Sequence, residues 1–574
     1  MALVRGIYIL AVALMWEGLF ALDLHAQTSP FDPDVRAQAS RILESVDLLT
    51  DRSLYISGEV IGFSARVQNT GLPDGMQWSR ILYLELFSAA GEMEAQGKFR
   101  IRRSAACGEL RIPEGLLTGT YYLRAYTRWM RNRDPSLYAH MPLRIINPFT
   151  KDQAENSPKD PQKIILNAVP VTRGALEISK PLAYDRGDSL GLELRLNSTE
   201  NTGNLNGCLS IVPAAARPME LMQADNIADG GWDDFQLNFL PDLRGITLSG
   251  RVRDPHQEPP GLSDTRVHFT MLGGHMAYSV ARSDSFGIFA LSLPFYEGRV
   301  ELLVQPEVDD NENVEVLIDQ DFDKRVSIPE VPDFSLSPEE METLIAMARK
   351  YQLSEIYLEP DPAADQTALN DPVPFYGTPD FSLNMEDYVL LPTLEEVFLN
   401  LVPSVTPLRR RNRTDLLIAS ANPAISLFPP LVMIDQVPLF SMEQFLSVPP
   451  GKLSHIDVIT DVYLKGDMRY GGIINLRTGE GNLAGIDLPD HSFFIDFKCL
   501  YPPAQSLTDR MEAGDQIPDT RNTILWMPDV QIEGSRPLPI FFRAPDYPGE
   551  YVVLFRGWDA KGEYVSAETS FLME

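Results

Sequence analysis

Few residues in this chain have the types and spacing that a catalytic or metal site requires. None of its seven histidines stands in a zinc-ligand spacing such as H-E-x-x-H, and Cys107, Cys208 and Cys499 form no C-x-x-C pair. The sequence contains no G-x-S-x-G nucleophile motif and no glycine-rich loop of the kind that binds phosphate. We therefore predict a protein that is not an enzyme and that uses no cofactor and no metal.

Two charged clusters and one tryptophan could still take part in binding. The acidic run Asp309–Asn313 offers oxygen ligands for calcium, but it lacks the glycine and final glutamate of an EF-hand loop, so a solvated turn is favoured. Arg409, Arg410 and Arg411 could receive an acidic partner or form the solvated end of a hairpin. Trp129 could form an exposed contact or pack at a domain junction. We take these arginines and Trp129 as candidate partner contacts.

The stretch from Leu431 to Thr478 predicts a compact α/β unit. Leu431–Ile434 is a short apolar run, typical of a strand buried on both faces. Asp435–Pro438 is a turn, in which we expect Asp435 to hydrogen-bond its own backbone. A short helix over Ser441–Leu446, a strand over Ile456–Thr460 and a strand introduced by the glycine pair of Gly471–Leu476 follow.

This order resembles the plug domain of TonB-dependent outer-membrane receptors. The matching residues are Asp435, Val437, Pro438, Ile456, Val458, Tyr470, Gly471, Ile473, Asn475 and Thr478. We take Asp435, Pro438, Tyr470, Gly471 and Gly472 as the residues that shape the plug-like turn and strands. Gln436 stands where the family usually has glycine, so we expect a turn that needs no positive φ angle. The stretch after Thr478 is too short for the receptor's barrel of about 22 strands.

Composition and the N-terminus indicate an exported protein. The net charge of −31 disfavours nucleic acid as a partner. Arg5, the apolar run Ile7–Trp16 and the small residue Ala26 have the order of a secretory signal peptide over residues 1–26. No second run reaches membrane-spanning length. We therefore expect a location in the periplasm or at the outer membrane, with three buried cysteine thiols or one disulfide.

Alternating apolar residues predict β-sandwiches on both sides of the plug-like unit. The first resembles the macroglobulin-like domains of alpha-2-macroglobulin relatives, through Asp51, Arg52, Tyr55, Gly58, Glu59, Gly119, Tyr121 and Arg124. The thioester motif of protease-trapping macroglobulins is not matched, because Arg111 stands where glutamine is required after Cys107. The pattern from Tyr55 recurs at Tyr184, and Gly119–Thr127 recurs at Gly549–Gly557. Residues 246–289 resemble the carboxypeptidase-regulatory-like sandwich, which is a structural module in its family.

The predicted fold class is mainly β, with tandem Ig-like or macroglobulin-like sandwiches and one small α/β plug-like domain. The predicted divisions are a signal peptide (1–26), a sandwich (27–150), a second, smaller sandwich with its connector (164–240), a carboxypeptidase-regulatory-like sandwich (244–330), a helix with an acidic loop (331–384), the plug-like domain (385–482) and a C-terminal sandwich (490–574).

The assembly resembles large exported proteins of Bacteroidetes-type bacteria. It implies a non-catalytic cell-envelope scaffold that presents the plug-like domain to an outer-membrane protein partner. One alternative is a gating or regulatory subunit of a transport barrel supplied by another chain. A further alternative is a hydrolase or protease-binding protein whose site is assembled across domains.

Overall fold

The computed structural model describes residues 39–72, 78–154, 163–173, 176–179, 189–196, 204–224, 235–257, 259–273, 277–308, 313–330, 334–357, 374–410, 413–466, 468–502, 518–534 and 536–573. The predicted signal peptide and all of the acidic run except Asn313 lie outside these residues.

The first sandwich is formed by eight strands: β1 (Leu43–Thr50), β2 (Leu54–Ile56), β3 (Val60–Thr70), β4 (Ile81–Ser88), β5 (Met93–Arg100), β6 (Ala105–Arg111), β7 (Gly119–Thr127) and β8 (Ala139–Ile146). A sheet in the order β1-β3-β6 packs against one in the order β2-β8-β7-β4-β5. Alternating apolar residues such as Ile61, Phe63 and Leu123 fill the space between the sheets. The predicted sandwich is confirmed in this part of the chain.

The next segment supplies only half of a sandwich. Its strands are β9 (Lys163–Ile164), β10 (Leu166–Ala168), β11 (Leu176–Ile178), β12 (Ser189–Leu196), β13 (Leu205–Pro213) and β14 (Met222–Ala224). The remaining half comes from the C-terminus: β32 (Leu525–Ile532), β33 (Leu538–Arg543), β34 (Gly549–Trp558) and β35 (Tyr564–Met573). Strands of the two segments combine in two antiparallel sheets, β11-β12-β33 and β32-β13-β34-β35. We call this the split sandwich.

The split sandwich corrects the prediction of separate sandwiches over 164–240 and 490–574. Leu192 and Leu209 of the first half share one apolar core with Ile540 and Phe555 of the second. Either the three strands of the first half or the four of the second would, alone, leave this apolar face in water, so each half is stabilised by the other.

The third sandwich is also completed from a distance. It contains β15 (Ile246–Arg253), β16 (Arg266–Leu272), β17 (Ala277–Arg282), β18 (Ile288–Leu293), β19 (Arg299–Glu307) and β20 (Glu315–Ile318), and β21 (Ile328–Pro329) follows it. Its sheets run β18-β15-β20 and β17-β16-β19-β31, where β31 is Phe493–Lys498. This strand lies beyond the predicted boundary of the domain at residue 330. It pairs with β19, which would otherwise have an open edge.

Helix α1 (Pro338–Tyr357) leads away from the third sandwich. Its start carries a capping box, because the Ser337 amide donates to the Glu340 carboxylate and the Glu340 amide donates to the Ser337 hydroxyl. Leu344 and Met347 are its buried apolar residues, whereas Met341 and Ile345 are exposed. Through these two buried residues α1 packs on β2 and on the turn near Ala216.

Residues 374–486 form an α/β unit that we call the inserted domain. It contains β22 (Phe381–Asn384), α2 (Leu394–Leu401), β23 (Val405–Arg410), β24 (Arg413–Ile418), β25 (Leu431–Ile434), β26 (Val437–Pro438), α3 (Met442–Leu446), β27 (Leu453–Ile459), β28 (Tyr463–Lys465), β29 (Met468–Tyr470) and β30 (Ile473–Thr478). Its main sheet runs β22-β27-β30-β25-β26, with β25 parallel to β30. Because β22 joins this sheet, the domain begins before the predicted residue 385.

The chain is thus a nested arrangement. The inserted domain interrupts the third sandwich before β31, and the third sandwich in turn interrupts the split sandwich between β14 and β32. All four residues of β25 are buried, which confirms the predicted strand buried on both faces.

Candidate interaction surface of the inserted domain

The Asp435–Gln436 turn joins β25 to β26 with both residues in the left-handed region, at φ 47° and 66°. Ile434 pairs with Val437, so only two residues close the hairpin, and such turns favour positive φ at both positions. The expectation of a turn without positive φ is therefore wrong. Pro438 ends β26 as a buried residue.

We expected Asp435 to hydrogen-bond its own backbone, but its side chain instead bonds residues that are distant in the sequence. Its carboxylate accepts from the amide and hydroxyl of Thr478, both at 2.7 Å, and from the Leu483 amide at 2.9 Å. The Gln436 amide donates to the side chain of Asn475 at 2.9 Å. These bonds compensate the backbone strain and tie the turn to the end of β30.

Gly471 and Gly472 lie at the opposite end of the parallel pair, where β30 begins beside β25. A Cβ on Gly471 would lie 2.2 Å from the Phe428 carbonyl oxygen and 2.4 Å from that of Ile425. Gly472 has φ 88°, and a Cβ there would lie 2.4 Å from the Ile459 carbonyl oxygen. The glycine pair therefore lets three backbone segments meet, and it serves packing rather than chemistry.

Tyr470 faces the third sandwich. Its hydroxyl lies 2.9 Å from the Tyr278 hydroxyl, which lies 2.8 Å from Nδ1 of His268. His268 Nε2 is 3.3 Å from a carboxylate oxygen of Glu307, and Arg266 donates to both oxygens of that carboxylate at 2.9 Å. The sequence analysis missed this group, because His268 has no motif and meets Tyr470 only through the tertiary fold.

Burial and charge shift the pKa values in this group. Burial lowers the pKa of His268 and raises that of Tyr278. Burial alone would raise the pKa of Glu307, but the hydrogen bonds and charges of His268 and Arg266 together lower it to about 2. The resulting arrangement is a neutral imidazole held between the Glu307 carboxylate and the Tyr278 hydroxyl, which is in turn bonded to Tyr470 of the inserted domain.

The side of the inserted domain away from the third sandwich exposes many large apolar side chains. Tyr388, Val389 and Leu390 form an apolar loop before α2, and Val389 is 86% exposed. Leu408 and Leu417 share the outer face of the β23–β24 hairpin, since residues 406 and 417 are paired. Leu399 and Leu427 are exposed elsewhere on the domain. Singly exposed apolar side chains are common on protein surfaces, so the three consecutive residues Tyr388–Leu390 are the stronger candidate for a binding surface.

Arg409 is the candidate basic contact whose side chain the structure describes. The side chain is 79% exposed and donates to the Glu395 carboxylate on α2, while Thr414 donates to the same carboxylate at 3.3 Å. The hydrogen bond from Arg409 lowers the pKa of Glu395. Arg410 ends β23, and Arg411 lies outside the described residues. The charge of Arg409 is thus exposed but already paired.

Trp129 is not an exposed contact. The side chain is 3% exposed, and its indole N–H donates to the Ile42 carbonyl at 3.0 Å. Its ring packs edge-on against Trp78 and lines an apolar cavity of about 370 Å³ between the first and third sandwiches. Trp129 therefore packs at a domain junction, which was the alternative interpretation. Burial there removes a large aromatic ring from water, which is stabilising.

The predicted site residues are therefore not brought into one cleft. The turn and the glycine pair occupy opposite ends of β25 and β30, Tyr470 faces the third sandwich, and Arg409 lies on the hairpin. Within the described ranges, no group of three or more His, Cys, Asp or Glu side chains could hold a metal ion. All three cysteines are free; Cys208 and Cys499 are buried, whereas Cys107 is exposed, contrary to the expectation of three buried thiols.

The sheets define a mainly β protein of tandem β-sandwiches with one small α/β domain, which agrees with the predicted fold class. Across the part of the chain that the structure describes, no helix is long and apolar enough to cross a membrane. No protein-family model matches the sequence, and no curated protein matches it.

Several solved structures of bacterial proteins have a weak structural similarity to this chain. Trypsin-activated alpha-2-macroglobulin from Escherichia coli is 9% identical, with a TM-score of 0.23, and the match covers 96% of this chain and 43% of that one. Methylamine-reacted alpha-2-macroglobulin from Salmonella is 12% identical, with a TM-score of 0.23 and coverages of 92% and 39%. Latent PorU from Porphyromonas gingivalis is 9% identical, with a TM-score of 0.15 and coverages of 48% and 34%.

This chain spans less than half the length of each of these proteins. At such TM-scores the likeness carries no functional argument, and the fold class stands on the sheets themselves.

Proposed function

We propose that this chain is a non-catalytic binding protein of the bacterial cell envelope. Exported through its N-terminal signal peptide, it uses its β-sandwiches to hold the plug-like inserted domain toward a protein partner at the outer membrane. The observation that carries the proposal is the two-sidedness of the inserted domain. One sheet face is fixed to the third sandwich, and the opposite side presents exposed apolar side chains.

The exposed side has the composition of a binding surface. Aromatic and aliphatic side chains that leave water supply most of the affinity of a protein interface, and charged residues at its rim give specificity. The apolar loop Tyr388–Leu390 directly follows the acidic pair Glu386 and Asp387, and Arg409 lies on the neighbouring hairpin. An apolar centre with charges beside it suits a protein partner.

A gating or regulatory role is the second candidate. It is favoured by the plug-like order of β25, the Asp435 turn, the glycine pair and β30, with the barrel supplied by another chain. A hydrolase or protease-binding role has less support, because the titratable residues singled out in the described chain form structural bonds rather than a nucleophile–base pair.

Site-specific photo-cross-linking tests the proposal. A photoreactive amino acid replaces Val389 or Leu427 of the full chain in its native envelope, and the matched control replaces Leu572, which is 65% exposed on β35 of the split sandwich. We expect Val389 and Leu427 to cross-link an outer-membrane barrel, recognised by a gel mobility that changes on boiling.

Equal products from Leu572, or cross-links to soluble proteins only, would contradict an outer-membrane partner. A barrel cross-link that accompanies altered solute uptake in a Val389→Asp strain would favour the gating role over the scaffold.

A further inference from the structure

The interface between the inserted domain and the third sandwich combines an apolar cluster with a polar relay. Leu431, Met433 and Ile473 of the inserted domain pack on Tyr278 and Val280 of β17. The His268 ring also packs against Phe440, with ring centres 4.6 Å apart. The contact covers the outer face of the β17-β16-β19-β31 sheet around β17 and His268 of β16, whereas Phe494 on the outer face of β31 is exposed.

The relay has one hydrogen-bond direction while His268 is neutral. Glu307 is ionised and can only accept, so His268 Nε2 carries the proton and Nδ1 must accept. Tyr278 therefore donates to Nδ1, and Tyr470 of the inserted domain donates to Tyr278. The proton state of His268 thus sets the direction of the bond that joins the two domains.

Part of this covered face has no polar partner. Gln305 is fully buried, and neither its amide nitrogen nor its amide oxygen is hydrogen-bonded. The Thr270 hydroxyl is likewise buried and unbonded. The strand register places both side chains beside His268, on the face of the sheet that meets the inserted domain. Separation of the domains would let water hydrate these groups, which lowers the net stability of the docked state.

We propose that the inserted domain is a releasable module, docked on the third sandwich at neutral pH and released when His268 becomes protonated. This inference goes beyond the proposed function and does not depend on the partner.

The sign of the pH effect follows from linkage. Burial lowers the pKa of His268 in the docked state, whereas an imidazole in water titrates near its ordinary value of about 6.5. The released state therefore binds more protons, and acidification below about pH 6.5 favours it by up to tenfold per pH unit. Arg266 opposes the imidazolium and Glu307 supports it; Tyr278 and Tyr470 face it as neutral hydroxyls. Glu307 keeps its charge above about pH 4.5 in both states.

Thiol labelling of the full chain measures this release even when it is rare. Thr270→Cys places a thiol within the covered face, and its labelling rate is divided by its rate in the urea-unfolded protein at the same pH. Native cysteines supply the controls: Cys107 is exposed, Cys499 reports opening of the third sandwich, and Cys208 reports opening of the split sandwich. Each thiol is quantified by mass spectrometry.

We expect the normalised rate at position 270 to rise severalfold, to at most about tenfold, between pH 7.5 and pH 5.5, while Cys499 and Cys208 remain protected. His268→Gln should abolish this rise. A constant rate, an equal rise in His268→Gln, or a parallel rise at Cys499 would each overturn the proposal.

A second variant keeps the test valid if His268→Gln does not fold. Tyr470→Phe retains the ring but removes the relay hydroxyl, so labelling at position 270 should increase about fivefold at pH 7.5, and the pH-dependent rise should persist. If Tyr470→Phe changes nothing at pH 7.5, the relay does not hold the docked state and the proposal fails.

Discussion

At the scale of single residues, the inserted domain depends on backbone positions that few residue types tolerate. Asp435 and Gln436 adopt positive φ although neither is glycine, and side-chain bonds to Thr478, Leu483 and Asn475 compensate for it. Gly471 and Gly472, in contrast, stand where a side chain cannot fit, because backbone oxygens occupy the space that it would need. The plug-like motif residues are thus explained by local geometry.

Gly471→Ala should destabilise the inserted domain by about 2–4 kcal/mol, because its methyl group would overlap two carbonyl oxygens. Urea unfolding measures the change. Gly479→Ala is the matched control, since a Cβ at Gly479 meets nothing within 4 Å. Equal midpoints for the two variants would show that the backbone at Gly471 can relax.

At the scale of elements, α1 joins the first sandwich to the split sandwich. Glu59 accepts from the Asn522 side chain at 2.6 Å, and the same side-chain amide donates to the Met347 carbonyl on α1 at 3.1 Å. Lys350 of α1 is 2% exposed and donates to the Arg521 carbonyl at 3.1 Å. The macroglobulin-like motif around Tyr55 therefore stabilises a junction between domains as well as one sandwich.

The Lys350 ammonium makes this junction pH-dependent. Burial lowers the pKa of Lys350 to about 8. Between pH 8 and about 10.5 the unfolded chain then binds more protons than the folded one, so stability rises with pH in this window. The free energy of unfolding of the native protein, relative to Lys350→Met, should increase by about 2 kcal/mol from pH 7.5 to pH 9.5.

Urea unfolding of both proteins at the two pH values gives this difference, and the methionine variant subtracts the titration of every other group. A difference independent of pH would mean that Lys350 keeps its ordinary pKa in the folded state.

At the scale of the whole molecule, nested insertion makes distant segments interdependent. The split sandwich forms only when residues 176–213 meet residues 525–573, and the third sandwich needs β31 from beyond the inserted domain. Contacts of such sequence separation require the closure of long loops, so we expect these two sandwiches to form after the first.

Removing residues 518–574 should abolish the hydrogen-exchange protection of β12 and β13, because their apolar faces lose the strands that cover them. Strands β4 and β7 of the first sandwich should remain protected as the internal control. Adding the 518–574 fragment in trans should restore protection of β12 and β13. Protection that persists without the fragment would instead support the predicted independent sandwich over 164–240.

The sequence by itself determined the local elements. Alternation of apolar residues located β3, β7, β12 and β34, and the apolar run Leu431–Ile434 located a strand buried on both faces. These features depend only on residues a few positions apart, so each segment of the chain shows them by itself. The mainly β fold class followed from them.

Only the tertiary structure decided which strands share a sheet and which side chains meet. The two halves of the split sandwich each carry a valid strand pattern, so periodicity could not show that they complete one another. Periodicity also could not predict the burial of Trp129, the positive φ of Gln436 or the contact of Tyr470 with Tyr278. Apolar burial is non-directional, and pairing depends on the whole surface left uncovered once the other domains have packed.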